Sequence, residues 1–91
     1  MPDDDDIRLT VPPDADLHPV VVAAVAAIVR LTGLGDAEVA KAREEAAAAF
    51  AMVIEDGRGD VVALTASASR HAYRYELRRG DRAEVRERAD R

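Results

Sequence analysis

The sequence predicts a small α+β domain in which two helices pack on one face of a small antiparallel sheet, in the order β-α-α-β-β with a possible short helix at the C-terminus. Three observations carry this expectation. One segment near the start and two near the end alternate apolar and polar residues with the period of two that a half-buried strand requires. Between them, two longer segments place their large apolar residues at helical spacing. The two later strands are separated by only a few residues, which suits a hairpin.

Ninety-one residues fit one domain. A chain of this size buries only about 60 to 65 % of its unfolded surface, so a partner or a second copy would add usefully to its stability. Hydrophobic residues make up 48 % of the chain, much of it alanine, and Phe50, Tyr73 and Tyr75 are the only large aromatic side chains. The core is therefore expected to be thin and built from Val, Ile, Leu and Ala. With no cysteine, disulfides and cysteine-based metal or redox sites are excluded, which suits a reducing cytoplasm. The most apolar run, residues 20–29, is about half of what a bilayer requires and follows aspartates instead of a basic region, so no membrane association is expected.

The net charge of −5 is unevenly placed. Residues 1–69 hold 13 acids and 5 bases, a balance of −8, whereas residues 70–91 hold 8 arginines and 5 acids, a balance of +3. The acidic body disfavours nucleic acid as a partner, because phosphate binding draws on Lys and Arg to release counterions. The arginine-rich end suits either a solvated tail or contact with an acidic surface.

In chain order, residues 1–6 (MPDDDD) are expected to be disordered, since four consecutive like charges repel one another and bury nothing. A calcium role for them lacks the spaced acids and the glycine of an oxygen-ligand loop. The single folded domain spans residues 7–79. Ile7, Leu9 and Val11 alternate with Arg8 and Thr10 as a strand, which Pro12 and Pro13 end. Asp16 is the N-cap expected for the first helix, because Pro19 then falls in the first turn, where its missing N–H is harmless. Large apolar residues at 17, 21, 25, 28 and 31 carry that helix to Thr32, with Gly33 as its stop. It is apolar nearly all round, so more than one neighbour is expected to cover it. His18 reads as solvent-facing, since no ligand or paired acid is arranged around it.

Asp36 is the expected cap of the second helix, with Glu38 in a first turn where the helix dipole favours negative charge. Val39, Arg43, Ala46, Phe50 and Val53 or Ile54 form its expected stripe, and the alanines at 46–49 offer a smooth surface for the first helix. Residues 56–60 (DGRGD) form a turn by composition. Residues 61–67 then alternate with Val62, Leu64 and Ala66 on one face. Residues 72–79 follow with Tyr73, Tyr75 and Leu77 inward and Arg74, Glu76 and Arg78 outward. His71 reads as a turn residue. Residues 80–91 are expected to be an arginine-rich tail or a short polar helix, because Asp81 followed by Glu84 resembles a capping box.

This order, with the phrase IRLTVPPDADLHPVVVAAVAAIVRLTGL, resembles the N-terminal half of the anti-sigma-factor serine kinases of the GHKL ATPase superfamily, over roughly residues 7–79. In that family the second helix bears a motif of the type Glu-Ala-x-x-Asn-Ala-x-x-His. Laid on this sequence, Glu45 matches the acid that acts as general base. Ala49 occupies the position of the magnesium-binding asparagine, and Val53 that of the histidine. A methyl group cannot coordinate magnesium, which demands oxygen ligands. The family's Asp-x-Gly-x-Gly segment after the hairpin has only Arg79-Gly80-Asp81-Arg82 as a counterpart, with neither the spacing nor the following strands. The resemblance thus implies a bacterial regulatory protein related to a truncated ATPase half, without cofactor or metal.

The residues themselves offer no enzyme's site. There is no Gly-rich phosphate loop and no His-x-x-x-His pair, Ser67 and Ser69 lie near His71 without a third orienting group, and Glu44 and Glu45 are adjacent and point about 100° apart on a helix. The expectation is a non-catalytic protein–protein interaction module in anti-sigma-type or other signalling, forming a homodimer and binding an unidentified regulatory protein. Its expected contact residues are Val21, Val22, Val25, Ile28 and Val29 on the first helix and Arg74, Arg78, Arg79 and Arg82 at the arginine-rich end. The alternatives are a small nucleotide-binding serine kinase using Glu45 and a nucleic-acid-associated module using the C-terminal arginines.

Overall fold

The computed structural model describes residues 5–89. Its elements run β1 (Asp5–Val11), α1 (His18–Arg30), α2 (Asp36–Asp56), β2 (Val62–Ser69), β3 (Ala72–Arg79) and β4 (Arg82–Arg88). The strands form one four-stranded sheet in sequence order, antiparallel throughout. The two helices cover one of its faces, α1 in contact with β1, β2 and β3, and α2 with β3 and β4.

β1 begins two residues earlier than the alternation suggests. Asp5 and Asp6 pair with Ala68 and Ser67 on β2, so the ladder extends into the acidic run that was expected to be disordered. The carboxylate of Asp6 sits exposed on the outer face. The remainder of that run, residues 1–4, lies outside the described residues, as does its considered calcium role.

The entry to α1 differs from the expected cap. Asp14, not Asp16, accepts a hydrogen bond, from the Asp16 amide at 2.8 Å, and caps a single 3-10 turn (Ala15–Leu17). α1 then starts at His18 with Pro19 in its first turn. It ends at Arg30, where buried Thr32 donates its hydroxyl to the Val29 carbonyl at 2.5 Å and accepts from the Leu34 amide at 3.2 Å. α2 is capped by Gly35, with Asp36 as its first helical residue and no side-chain cap bond. The left-handed φ of +96° at Gly35 explains why a glycine stands there.

Val21, Val22, Val25, Ala26, Ile28 and Val29 of α1 meet Val39, Ala42, Ala46, Ala49, Phe50 and Val53 of α2 and the inward residues of the sheet in one core. The buried stripe of α2 includes Glu38 and Ala42, and Arg43, placed in that stripe from sequence, is exposed. Val62, Leu64 and Ala66 of β2 and Tyr73, Tyr75 and Leu77 of β3 face inward, as their alternation predicts, and β2 runs on to Ser69, which adds Ala68 to the same face. The turn between these strands is only Arg70 and His71. His71 adopts φ +62°, and its amide donates to the Thr32 carbonyl at 2.9 Å, fastening the hairpin to the end of α1.

β4 is the main correction. The segment expected to be a tail or a short polar helix is a strand paired with β3 from Arg79↔Arg82 to Tyr73↔Arg88. A polar helix here would have almost nothing apolar to bury, whereas the open edge of β3 supplies backbone partners along the segment. Residues 90–91 lie outside the described residues.

Candidate functional site

The contact residues expected on α1 are not at the surface. Val21, Val25 and Val29 are fully buried and Ile28 and Val22 nearly so, because the chain's own sheet and α2 cover them. They hold the core and present nothing to a partner. The outward side of the same helix carries Val20, Ala23, Ala27 and Leu31, with Ala24 half-buried beside them. Val20 is 45 % and Leu31 59 % exposed. The spacing of three or four residues sets these side chains in one stripe, flanked by Arg30 at one edge. Helix periodicity alone could have found this stripe, had the inward face been assigned to the sheet first.

The four arginines separate into two pairs. Arg74 and Arg78 lie on the outer face of the sheet, each beside a carboxylate: Arg74 at 3.9 Å from Glu87, and Arg78 at 2.8 Å from Glu76. Arg79 and Arg82 point to the helix side and are engaged within the chain. Arg79 donates to the carbonyls of Ile54 (2.5 Å) and Gly59 (3.0 Å), satisfying backbone oxygens at the C-terminal end of α2. Arg82 pairs with Glu84 at 2.7 Å and approaches Asp56 at 3.8 Å.

The helix-facing side of β4 is charged along its length: Arg82, Glu84, Arg86 and Arg88. Opposite it lies a flank of α2 bearing Glu38, Glu45 and Asp56. Glu38 is 8 % exposed, accepts a hydrogen bond from the Tyr73 hydroxyl at 2.9 Å and pairs with the Arg88 guanidinium. Burial raises the Tyr73 hydroxyl well above the ordinary tyrosine range, and the Glu38 bond and charge push it further. Tyr75, 1 % exposed, is pushed up to about 12 by burial first and then by the charge of Glu45, with Arg86 opposing. Its hydroxyl and the Nε of Arg82 have no hydrogen-bond partner among the described residues. Sequence reasoning placed Glu38 only as a dipole partner. Its phase was the missed signal, since Glu38, Ala42, Ala46, Ala49 and Val53 all lie on the buried stripe.

Glu45 is partly buried at this seam, whereas Ala49 and Val53 are sealed in the core. An open groove of about 370 Å³ with an apolar lining lies between the start of α1 and the second half of α2, lined by Ala15, His18, Phe50, Ala51, Ile54 and Glu55. It does not reach Glu45. Among the described residues no three His, Cys, Asp or Glu side chains gather as metal ligands, and no helix is long and apolar enough to cross a membrane. No family model, curated protein or solved structure matches the chain.

Proposed function

We propose that this chain is a non-catalytic regulatory module that acts by protein–protein contact and pairs with a second copy of itself through the outward face of α1. The observation that carries the reading is the uncharged stripe of Val20, Ala23, Ala27 and Leu31 on a helix whose opposite face is already filled. A solvated helix face ordinarily carries charge, as that of α2 does with Lys41, Arg43 and Glu44. Alanines at the centre of the stripe let a second helix approach closely, and valine and leucine at its ends provide the larger apolar contacts. A two-fold arrangement sets the stripe on its own copy, so a single patch suffices.

The resemblance to anti-sigma-factor kinases suggests signalling regulation as the setting. The kinase alternative rests on Glu45 alone, because the aligned Ala49 and Val53 have no oxygen or nitrogen to offer a metal or phosphate. In the interaction reading, the helix that bears the family motif serves as packing surface and the outward face of its neighbour serves as contact surface.

Light scattering after size exclusion is expected to give a dimer at micromolar concentration, and Ala27→Glu is expected to give a folded monomer. A wild-type monomer under those conditions overturns the self-association. Calorimetric titration with Mg-ATP is expected to show no binding in the millimolar range, and measurable binding there would restore the kinase.

A further inference from the structure

β4 is attached to this fold in a different way from the other strands. None of its residues belongs to the hydrophobic core or packs against it as a partly buried apolar side chain. Its contact with α2 runs through Arg88 to Glu38 and Arg82 to Asp56, while Glu84 sits between Arg82 and Arg86 at 2.7 and 3.1 Å. The one large apolar residue of β4, Val85, points to the outer face and is 39 % exposed. The backbone ladder with β3, the two ion pairs to α2 and the outer-face Arg74–Glu87 pair therefore hold it, and salt weakens the pairs.

The point at which β4 departs is firmly fixed. Arg79 ties the end of β3 to the carbonyls of Ile54 and Gly59. Gly80 has φ +58°, and a Cβ there would collide with the Arg58 carbonyl. The fold up to Gly80 is thus anchored independently of the strand that follows. Beneath β4, the seam is incompletely satisfied: the Tyr75 hydroxyl, fully enclosed and next to Arg86 across the ladder, has no hydrogen-bond partner among the described residues. A strand whose side chains were the best fit to that floor would reach this hydroxyl.

We propose that the edge of β3 and the acidic flank of α2 form a groove for an extended segment carrying cationic side chains at alternate positions, and that β4 is its built-in, displaceable occupant. The incoming strand takes over the β3 ladder by strand addition, and its cations meet Glu38 and Asp56 in place of Arg88 and Arg82, with Glu45 between them on the same flank of α2. The charge of the flank selects the partner: a basic extended segment of another protein fits, whereas an acidic or apolar one leaves Glu38 buried without a counter-charge. β4 then acts as an autoinhibitory strap that sets how much of the groove is open. The groove lies at the β3 and β4 end of the sheet, apart from the outward face of α1, so it stands or falls independently of self-association.

The test uses the full chain carrying Glu76→Cys and Val85→Cys, which face each other across β3 and β4 on the outer side of the sheet in a chain without other cysteines. The probe is a fluorescein-labelled synthetic peptide of residues 81–89, with a second peptide in which its arginines are glutamine. Circular dichroism checks that both redox forms are folded. Reduced protein is expected to bind the arginine peptide at least about tenfold more tightly than oxidised protein, whose strap is locked. Binding is expected to fail with the glutamine peptide. In a reduced chain that also carries Arg88→Ala, the loosened strap is expected to raise affinity severalfold. Hydrogen exchange of the unmodified chain is expected to show β4 amides opening faster than those of β2, and faster still as salt rises. Equal binding by locked and open protein, equal binding of the two peptides, or β4 amides as protected as those of β2 would each overturn the proposal.

Discussion

At the residue scale the two tyrosines of β3 share a face, with ring centroids 6.4 Å apart, yet have opposite hydrogen-bond positions. The Tyr73 hydroxyl donates to a buried carboxylate that also holds Arg88, so Tyr73→Phe removes a bond to a charged acceptor and is expected to cost about 1.5 to 3 kcal/mol. The Tyr75 hydroxyl has no partner among the described residues, so Tyr75→Phe is expected to be neutral or mildly stabilising. Urea melts of the two variants at neutral pH check the contrast. The same groups set the alkaline limit of the fold. Tyr75 loses its proton near 10 in the unfolded chain and at about 12 in the folded one, so above pH 10 the unfolded state binds fewer protons than the native state. Its contribution is therefore intact below about pH 10 and is lost as pH rises toward about 12, at up to about 1.4 kcal/mol per pH unit. Melts across that window are expected to show a steep fall, shallower in Tyr75→Phe.

At the element scale the end of α2 depends on a side chain from the sheet. A helix terminus leaves carbonyls unpaired, and α2 has no basic residue of its own in its last turn. Arg79 supplies the missing donors from β3. Arg79→Ala is expected to lower stability by about 2 kcal/mol, read by thermal melting, with hydrogen exchange rising first around residues 53–57. β4 shows how an exposed sheet edge can be guarded, since its alternating arginines and glutamates discourage the edge-to-edge pairing that an apolar edge strand would invite.

At the scale of the whole molecule the core is built around few large side chains. Phe50 and Tyr75 are the largest fully buried ones, and much of the remaining interior is valine and alanine. A domain of this length has roughly 5 to 14 kcal/mol of stability, and Phe50→Ala is expected to remove about 3 to 5 kcal/mol of it, read as a lowered urea midpoint. The proposed pairing of two copies would add to stability by mass action. The melting midpoint of the wild-type chain is therefore expected to rise with protein concentration, and that of Ala27→Glu to stay constant.

The sequence by itself determined β1, both helices, the β2–β3 hairpin and the inward faces of Ile7, Leu9, Val62, Leu64, Tyr73, Tyr75 and Leu77. Each of these follows from apolar periodicity within one segment, which needs no knowledge of what lies opposite. Three things only the tertiary structure decided. The alternating charges of residues 82–88 suit a solvated polar helix as well as an edge strand, and the free edge of β3 selects the strand. The interior valines of α1 looked available because an all-apolar helix does not declare how much of itself its own domain will cover; the sheet and α2 took that face and left Val20, Ala23, Ala27 and Leu31 outside. Glu38 reads locally as a solvated first-turn acid, and its buried place depends on Tyr73 and Arg88, 35 and 50 residues further along. Local pattern specifies the direction a side chain faces along its element, whereas its partner is set by chain closure over distances that no local pattern records.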